Sequence, residues 1–530
     1  MANLKVGFLC YNRNMEKKMN IPRYVQEILE KLEKADFQAY IVGGCVRDLL
    51  MASYAKASEA KGKMPKDWDI TTNARPEEIL KVFVQGKYEN NFGTVLVPVK
   101  DKDGKTEDVI EITTYRSEQG YSDRRHPDEI KFEDSLDKDL ERRDFTINAM
   151  AMKMTSPPTP LLIRRGELKG RGIELVDLFG GQKDLEKKII RAVGDPADRF
   201  KEDALRMMRA IRLSCQLSFS IEPKTERAIK KMAGGIKFVS NERVRDEFVK
   251  ILETEKAYEG VMTLHENKLL QYIIPEVTRG VGVAQNHHHV YTVFKHSVLS
   301  LKYCPNKNWQ VKLAAMLHDI AKPQTKKFRS DPSTNSGQVA TFYNHDIVGA
   351  KVVKKIMQRL KFSNDDISRV TNLVRNHMFY YNVDEVTASS VRRLIKKVGE
   401  GNLADLIDIR VADRLGSGVP KAKPYKLRHL EYMMEKVQKD PVSAKMLKIN
   451  GDDLIKFLKI TPGPKIGAIL DVLLSEVIED SKLNDKKYLE KRSKELNKMD
   501  LDELRKKAKG KIEEKKMEDD EELKGEFWVK

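Results

Sequence analysis

Asp67 and Asp69 flank a single residue, Trp68, and follow a Gly43-Gly44 pair. On an extended segment two carboxylates two positions apart emerge on one face. Held that way they suit two Mg²⁺ ions about 4 Å apart, the arrangement that serves in-line phosphoryl displacement. Gly43-Gly44 separates the apolar, β-prone Tyr40-Ile41-Val42 from Val46 to Met51, which can open a helix. Backbone N–H groups at such a strand-to-helix turn point at an anion. Singly, Gly-Gly is a turn and Asp-x-Asp a solvated loop. Together and in order, they point to nucleotidyl transfer.

Further along, Arg142-Arg143-Asp144-Phe145-Thr146-Ile147-Asn148 offers two guanidinium groups, a carboxylate and an amide. The fixed fork of an Arg matches triphosphate oxygens, and Asp144 can accept a hydrogen bond from a ribose hydroxyl. An ordinary helix start would contain the same residue types. Glu111, central on an alternating strand that puts Val109, Glu111 and Thr113 on one face, is the candidate third carboxylate. A helix through Glu202, Asp203, Arg206 and Arg209 would put Asp203 and Arg206 on a shared face. An Asp accepts from an exocyclic amine while an Arg donates to the adjoining ring acceptor. That pattern fits cytosine and adenine and rejects uracil and guanine. The commoner fate of such a pair is a salt bridge on a solvated face.

The elements that must hold these groups divide the chain. Helix is expected over 21–35, strands near 39–42, 92–99, 107–115 and 173–176, and helix almost throughout from Asp198 onward. Residues 51–64 have the composition of a surface insertion, and Asp195-Pro196 marks a boundary. A chain of 530 residues, 40% apolar, buries ample core in several domains. Lys and Arg exceed Asp and Glu by 98 to 80, a net +18 that favours a polyanionic partner such as nucleic acid. Cys10, Cys45, Cys215 and Cys304 lack CxxC spacing, which argues against a disulfide framework or a thiolate zinc site. The apolar run 6–10 is too short for a signal peptide and no segment could span a bilayer, so the expectation is a cytoplasmic protein.

The runs 41–48, 67–70, Arg142 to Ala149, Asp177-Leu178-Phe179-Gly180-Gly181, Glu202 to Arg209 and Asn241-Glu242-Arg243 stand in one order over about residues 21–255. In that order they resemble the bacterial-type (class II) tRNA nucleotidyltransferases, the family of CCA-adding enzymes and poly(A) polymerases. The resemblance implies an α+β multidomain protein whose N-terminal part is a polymerase-β-like mixed α/β palm. It implies that Asp67 and Asp69 bind Mg²⁺ and that Gly43, Gly44 and Arg47 help hold the triphosphate. Arg143 and Asp144 would face the ribose. Asp203 and Arg206 would read the base, with Glu202 bracing them; Asn148 and Arg209 fall in the same nucleotide-binding runs. The tRNA 3′-hydroxyl would attack the α-phosphate of CTP or ATP. Two departures stand out: the stretch between Leu50 and Asp67 is longer than usual, and Glu118-Gln119-Gly120 replaces the usual acidic-glycine pair in the loop 115–127.

A second series, His296, Leu317-His318-Asp319, His345, His377 and Asp413, consists of groups that suit divalent transition metals. It resembles the HD phosphohydrolase superfamily. That resemblance assigns His296, His318, Asp319 and Asp413 to one metal, with His345 and His377 favouring a second, Mn, Ni or Co. It puts Lys322 where a phosphate could be met. His287-His288-His289 reads as a surface cluster. Residues 449–454 and 462–467 resemble the C-terminal helices that contact the tRNA body in this family, and the last stretch, dense in Lys and Glu, reads as a solvated helix or a tail without a core.

The expected organisation is therefore a leader over 1–20 and a catalytic domain over 21–195. A helical neck over 196–280 and an HD domain over 281–420 follow, then a tRNA-contacting region over 421–480 and a charged tail over 481–530. The expected activity is template-independent CCA addition to tRNA from CTP and ATP, with metal-dependent phosphohydrolase action by the HD domain. A poly(A) polymerase or A-adding enzyme is the alternative. A hydrolase with an RNA-binding N-terminal module is the alternative of a different class.

Overall fold

The computed structural model describes residues 21–54, 65, 67–90, 93–100, 103, 105–119, 129–154, 173–285, 290–330, 338–379, 382–383, 386–438 and 447–529. The expected leader, most of the insertion, the tip of the loop 115–127 and the three consecutive histidines lie outside the described residues.

The N-terminal part runs α1 (Arg23–Lys34), β1 (Ala39–Val42), α2 (Gly44–Tyr54), β2 (Asp69–Thr72), α3 (Pro76–Val82), β3 (Lys87–Asn90), β4 (Thr94–Lys100) and β5 (Thr106–Thr114). It continues with β6 (Arg116–Gln119), β7 (Glu129–Phe132), α4 (Leu136–Glu141), a 3₁₀ turn (Thr146–Asn148), β8 (Met150–Met154), β9 (Ile173–Asp177) and α5 (Gly181–Glu186). Seven strands form one sheet in the order β3-β4-β5-β2-β1-β8-β9, with β2 and β5 parallel and the other pairings antiparallel. α1 forms because Val25, Ile28, Leu29 and Leu32 recur at helical spacing and are buried together. In β5 the alternation holds: Ile110 and Ile112 are buried, while Val109 and Glu111 face outward. Each fully buried Ile or Leu is worth about 1.5–3 kcal/mol, so this pattern sets the register that decides where Glu111 points.

The chain then turns helical through β10 (Ile189–Ile190), α6 (Pro196–Glu202), α7 (Arg206–Leu217), β11 (Ser220–Ile221), α8 (Pro223–Met232), α9 (Asn241–Leu252), α10 (Ala257–Glu266), α11 (Leu270–Ile273) and α12 (Pro275–Thr278). Asp195 caps α6 by accepting from the Ala197 N–H at 2.8 Å, and Pro196 takes the first helical position, where no N–H is needed. The helix expected to run unbroken through 200–209 is broken: Asp203 is extended (φ −140°, ψ 106°) between α6 and α7. Its carboxylate accepts from the Leu205 N–H at 3.0 Å, so the side chain competes with the helical backbone at this point.

Next come α13 (Val293–Lys302), α14 (Trp309–Leu317), α15 (Lys322–Thr325), the hairpin β12 (Lys327–Ser330) and β13 (Gln338–Thr341), α16 (His345–Arg359), α17 (Asn364–Asn376), α18 (Ala388–Val398) and α19 (Leu403–Gly416). One hydrophobic core runs from the sheet through this region. Beyond it lie α20 (Tyr425–Gln438), α21 (Gly451–Leu458), α22 (Pro464–Glu479), α23 (Lys486–Leu496) and α24 (Leu501–Glu526). The stretch expected as a charged tail is helical here, and it places Leu489, Leu496 and Leu504 in a separate core with Ile469 and Leu473. Few apolar residues suffice because they recur on one face of each helix. No helix among the described residues is long and apolar enough to cross a membrane.

Candidate functional site

Gly43 directly follows β1 with φ +81°, a conformation that disfavours any side chain. A Cβ there would lie 3.1 Å from Arg143 Nη1 and 3.4 Å from Asp69 Oδ2. The glycine thus lets the turn, Arg143 and Asp69 meet. Trp68 is buried in the core, while Asp69 opens β2 and Asp67 is exposed just before it. Asp69 and Glu111 are register partners on the parallel pair β2 and β5. Burial, together with the Asp67 charge, pushes the Asp69 carboxyl up, although Arg143 opposes this. Burial and the charges of Asp69, Glu89 and Asp67 do the same to Glu111. Like charges held together in this way fit a divalent cation, whose own charge inverts the balance. Glu89, on β3, adds a carboxylate that its sequence surroundings did not single out.

The second group of predicted residues surrounds Asp144. Arg209 donates to Asp144 Oδ2 through Nε at 2.8 Å, with Nη2 2.7 Å from the same oxygen as an ion pair, while the Phe145 N–H and Asn148 Nδ2 donate to Oδ1 at 2.8 and 3.2 Å. Arg47 Nη1 donates to Asn148 Oδ1 at 2.8 Å, joining the Gly43 turn to this network. Burial pushes Asp144 up, but the guanidinium groups of Arg209 and Arg206 outweigh it and hold the carboxyl at about 2. Arg142 and Arg143 are not both free for an anion. Arg142 donates to Asp139 Oδ1 at 2.6 Å and Arg143 to Asp139 Oδ2 at 3.1 Å. Asp139 is wholly buried one helical turn before them, and only that spacing could have flagged it.

Asp203 and Arg206 do not form the same-helix face expected for them. Arg243, at the start of α9, donates to Asp203 Oδ2 at 2.6 Å. Arg206 donates to Glu202 Oε2 at 2.7 Å and to the Arg142 carbonyl at 3.1 Å. Each is held from outside by a different partner. Arg243, noted in the sequence only as part of a run, is the side chain that grips Asp203.

The histidine series comes together from α13, α16 and α19 and from the segments that follow α14 and α17. Gly416 allows α19 to approach α13 so closely that a Cβ there would meet the Ser300 Oγ at 2.4 Å and its backbone N at 2.8 Å. This brings Asp413 to His296. His296, His318 and Asp413 form one group, and Asp319, His345 and His377 another, with the ligating atoms of each within 4.8 Å of one another. Asp319 lies between them. Its Oδ2 is 3.2 Å from the Nε2 atoms of both His296 and His318, and its Oδ1 is 3.3 Å from His345 Nε2 and 3.8 Å from His377 Nε2. The Nε2 atoms face each other at 3.1 Å (His296 and His318) and 3.2 Å (His345 and His377). The Nδ1 atoms of His318, His345 and His377 lie 2.7–2.8 Å from the carbonyls of Ala315, Phe342 and Val374. A proton on each Nδ1 satisfies that carbonyl and leaves Nε2 as the inward donor atom, the usual support of a ligating imidazole.

Burial pushes His377 down to about 3, with His318 adding to the effect. Burial also disfavours charge on His318, but Asp319 and Asp413 reverse this and push it up to about 10. Asp319 Oδ2 is buried without a hydrogen bond. Lys322 Nζ stands 2.6 Å from it and donates to Gln285 Oε1 at 2.7 Å. This donor set could hold a metal ion.

Comparison with known proteins accords with this layout. Residues 39–191 match the family described as the poly A polymerase head domain, 218–280 the probable RNA and SrmB-binding site of polymerase A, and 335–492 tRNA nucleotidyltransferase domain 2. The A-adding tRNA nucleotidyltransferase of Deinococcus radiodurans is 34% identical over 354 residues, 64% of this chain and 74% of that protein. The CCA-adding enzyme of Leuconostoc mesenteroides is 31% identical over 484 residues, 89% of this chain and 95% of that protein. A crystal structure of the Bacillus stearothermophilus CCA-adding enzyme in complex with CTP superposes with a TM-score of 0.53 at 24% identity, covering 90% of this chain and 98% of that one. At that identity the likeness shows a shared fold.

Proposed function

We propose, from the premise that this chain belongs to the tRNA nucleotidyltransferase family, that it builds or repairs the CCA end of tRNA from CTP and ATP without a nucleic-acid template. The observation that carries the reading is the convergence of Asp67, Asp69 and Glu111 with the Gly43 turn and Arg143. Those three carboxylates would hold Mg²⁺, which supplies charge stabilisation for the in-line displacement. The Gly43-Gly44 backbone and Arg47 would receive the triphosphate, and Arg143 would face the ribose with Asp144. Asp203 and Arg206, gripped by Arg243 and Glu202, present the acceptor and donor that suit cytosine and adenine. The tRNA 3′-oxygen then bonds to the α-phosphorus as pyrophosphate leaves. In this reading the chain acts on tRNA, and CCA-adding enzymes of the same fold have been solved in complex with CTP, tRNA and ATP.

The test is incubation with tRNAs lacking CCA or lacking only A, and with a generic RNA, with product length read at nucleotide resolution. Addition of C, C and A that stops there is expected. A single A on CC-ended tRNA would instead match the Deinococcus relative, and long A tails on generic RNA would mean poly(A) polymerase.

Asp144 faces the ribose in this reading, positioned by Arg209. Arg209→Lys keeps the charge but loses the fork. A hydrogen bond to a charged group is worth about 1.5–3 kcal/mol, so discrimination between CTP and dCTP is expected to fall roughly 10-fold, measured as the ratio of kcat/KM. Because the Asp144 carboxyl is held at about 2, its stabilising contribution is present above the usual Asp value and fades as pH falls towards 2.

The facing Nε2 atoms on either side of Asp319 support a second activity. In this reading His296, His318, Asp319 and Asp413 would hold one divalent transition metal, with His345 and His377 favouring a second. The chemistry such a site offers is hydrolysis of nucleotide or tRNA-end phosphate esters, with Lys322 beside it as a phosphate-binding cation. Residues 281–420 would then be an HD domain.

A further inference from the structure

α9 carries Arg243, the side chain that grips Asp203, in its first turn. The helix is itself held from two directions. On the catalytic side Glu247, buried one turn after Arg243, accepts from Arg212 of α7 at 2.6 Å. On the other side lies α14, which leads directly into His318 and Asp319. Its Lys312 is only 8% exposed, and the ammonium donates to the Leu252 carbonyl at 2.8 Å and the Thr254 carbonyl at 2.9 Å. Leu252 is the last residue of α9. Nearer the start of the helix, Arg245 donates to the Lys361 carbonyl, and its guanidinium lies 5.9 Å from the Phe362 ring. Trp309, the first residue of α14, stacks on that ring at 5.3 Å and 27°.

The last carbonyls of a helix have no partner within it, and they carry the negative end of its dipole. A buried ammonium that takes them must keep its bonds, because neither side has water to fall back on. Lys312 therefore fixes α9 along its axis. A helix is stiff along its hydrogen-bonded length, so a shift at Leu252 is carried to Arg243, nine residues and about 14 Å away.

We propose that Lys312 is a positioning residue for nucleotide selection: by holding the C-terminal end of α9, it sets where Arg243 presents the Asp203 carboxylate to the incoming base. The inference rests on the reading of Asp203 and Arg206 as the base-recognising pair. Displacing that carboxylate weakens its bond to the cytosine amine and relieves its repulsion of the uracil carbonyl. The choice between the two bases then narrows.

The experiment uses the full chain with Mg²⁺ and a tRNA lacking CCA, and reads the ratio of kcat/KM for CTP to that for UTP. The parent is compared with Lys312→Met, which keeps the stem and removes the ammonium, below the thermal midpoints of both. The ratio is expected to fall by roughly 10-fold, the scale on which a small misplacement of a positioning group acts. Arg359→Met is the control. Arg359 joins the same two regions through the Ile273 carbonyl at 3.0 Å and Glu276 at 2.9 Å, on α11 and α12 rather than α9. Its variant is expected to keep the parental ratio, and an equal fall there would overturn the role of Lys312 as general loosening.

A third variant, Arg243→Met, separates the inference from the reading beneath it. A ratio that falls in Arg243→Met and not in Lys312→Met overturns the positioning role and leaves the base reading standing. A ratio unchanged in both, or no preference for CTP in the parent, overturns the two together. Should Lys312→Met not fold, Arg245→Met loosens α9 at its other contact with these helices, and the same outcomes apply.

Discussion

Asp69→Ala is expected to abolish nucleotide addition while leaving the fold intact. Two-metal positioning is worth several kcal/mol of transition-state stabilisation, so the rate of CMP incorporation into tRNA should fall by roughly 10³-fold or more. The structure gives the variant a second signature. Burial and the neighbouring Asp67 hold the Asp69 carboxyl above its usual range, so in the absence of metal the ionised group costs stability. The thermal midpoint in metal-free buffer is therefore expected to equal or exceed that of the parent, and the rise in midpoint on adding Mg²⁺ should shrink. A variant that lost activity together with a large part of its stability would show that Asp69 is structural.

The second large effect is expected at Asp319. Its two oxygens face the two histidine pairs, so in the proposed hydrolase reading one substitution would take a ligand from both metals. Loss of an outer partner of a metal ligand already costs about 10- to 100-fold in affinity, and loss of a shared ligand should exceed that. Asp319→Ala is expected to reduce bound Mn²⁺ or Co²⁺, measured by elemental analysis after gel filtration, from two ions to none. Phosphate-ester hydrolysis should vanish with it. CCA addition should persist, because Asp69 and Glu111 lie on a sheet to which the histidine helices contribute no strand. Retention of both metals would overturn the bridging role of Asp319.

Much of this was legible in the chain because it was written in local chemistry. Ala39–Val42 forms a strand at the residues expected, and Glu111 takes its outward position because Ile110 and Ile112 alternate with it. Asp195-Pro196 is a helix start because a side-chain acceptor followed by a residue without an N–H satisfies the first turn. The terminal stretch was harder to read. Lys and Glu dominate its composition, yet Leu489, Leu496 and Leu504 suffice to seat α23 and α24 against α22 once they share a face.

Residue order alone shows which groups are available: paired carboxylates, a glycine turn, arginine forks and six potential metal ligands. These follow from residue type and short spacing, where periods of two and of three or four residues govern direction. Which group holds which is settled by packing. Asp203 is gripped by Arg243 from another helix, and Arg206 by Glu202, so the expected face was not formed between them. Asp139 occupies Arg142 and Arg143, and Asp319 stands between two histidine pairs. The Asp203–Arg243 pair and the gathering around Asp319 join residues far apart in the chain. Their choice depends on how elements pack and which buried charges must be balanced, and neither property belongs to any local stretch.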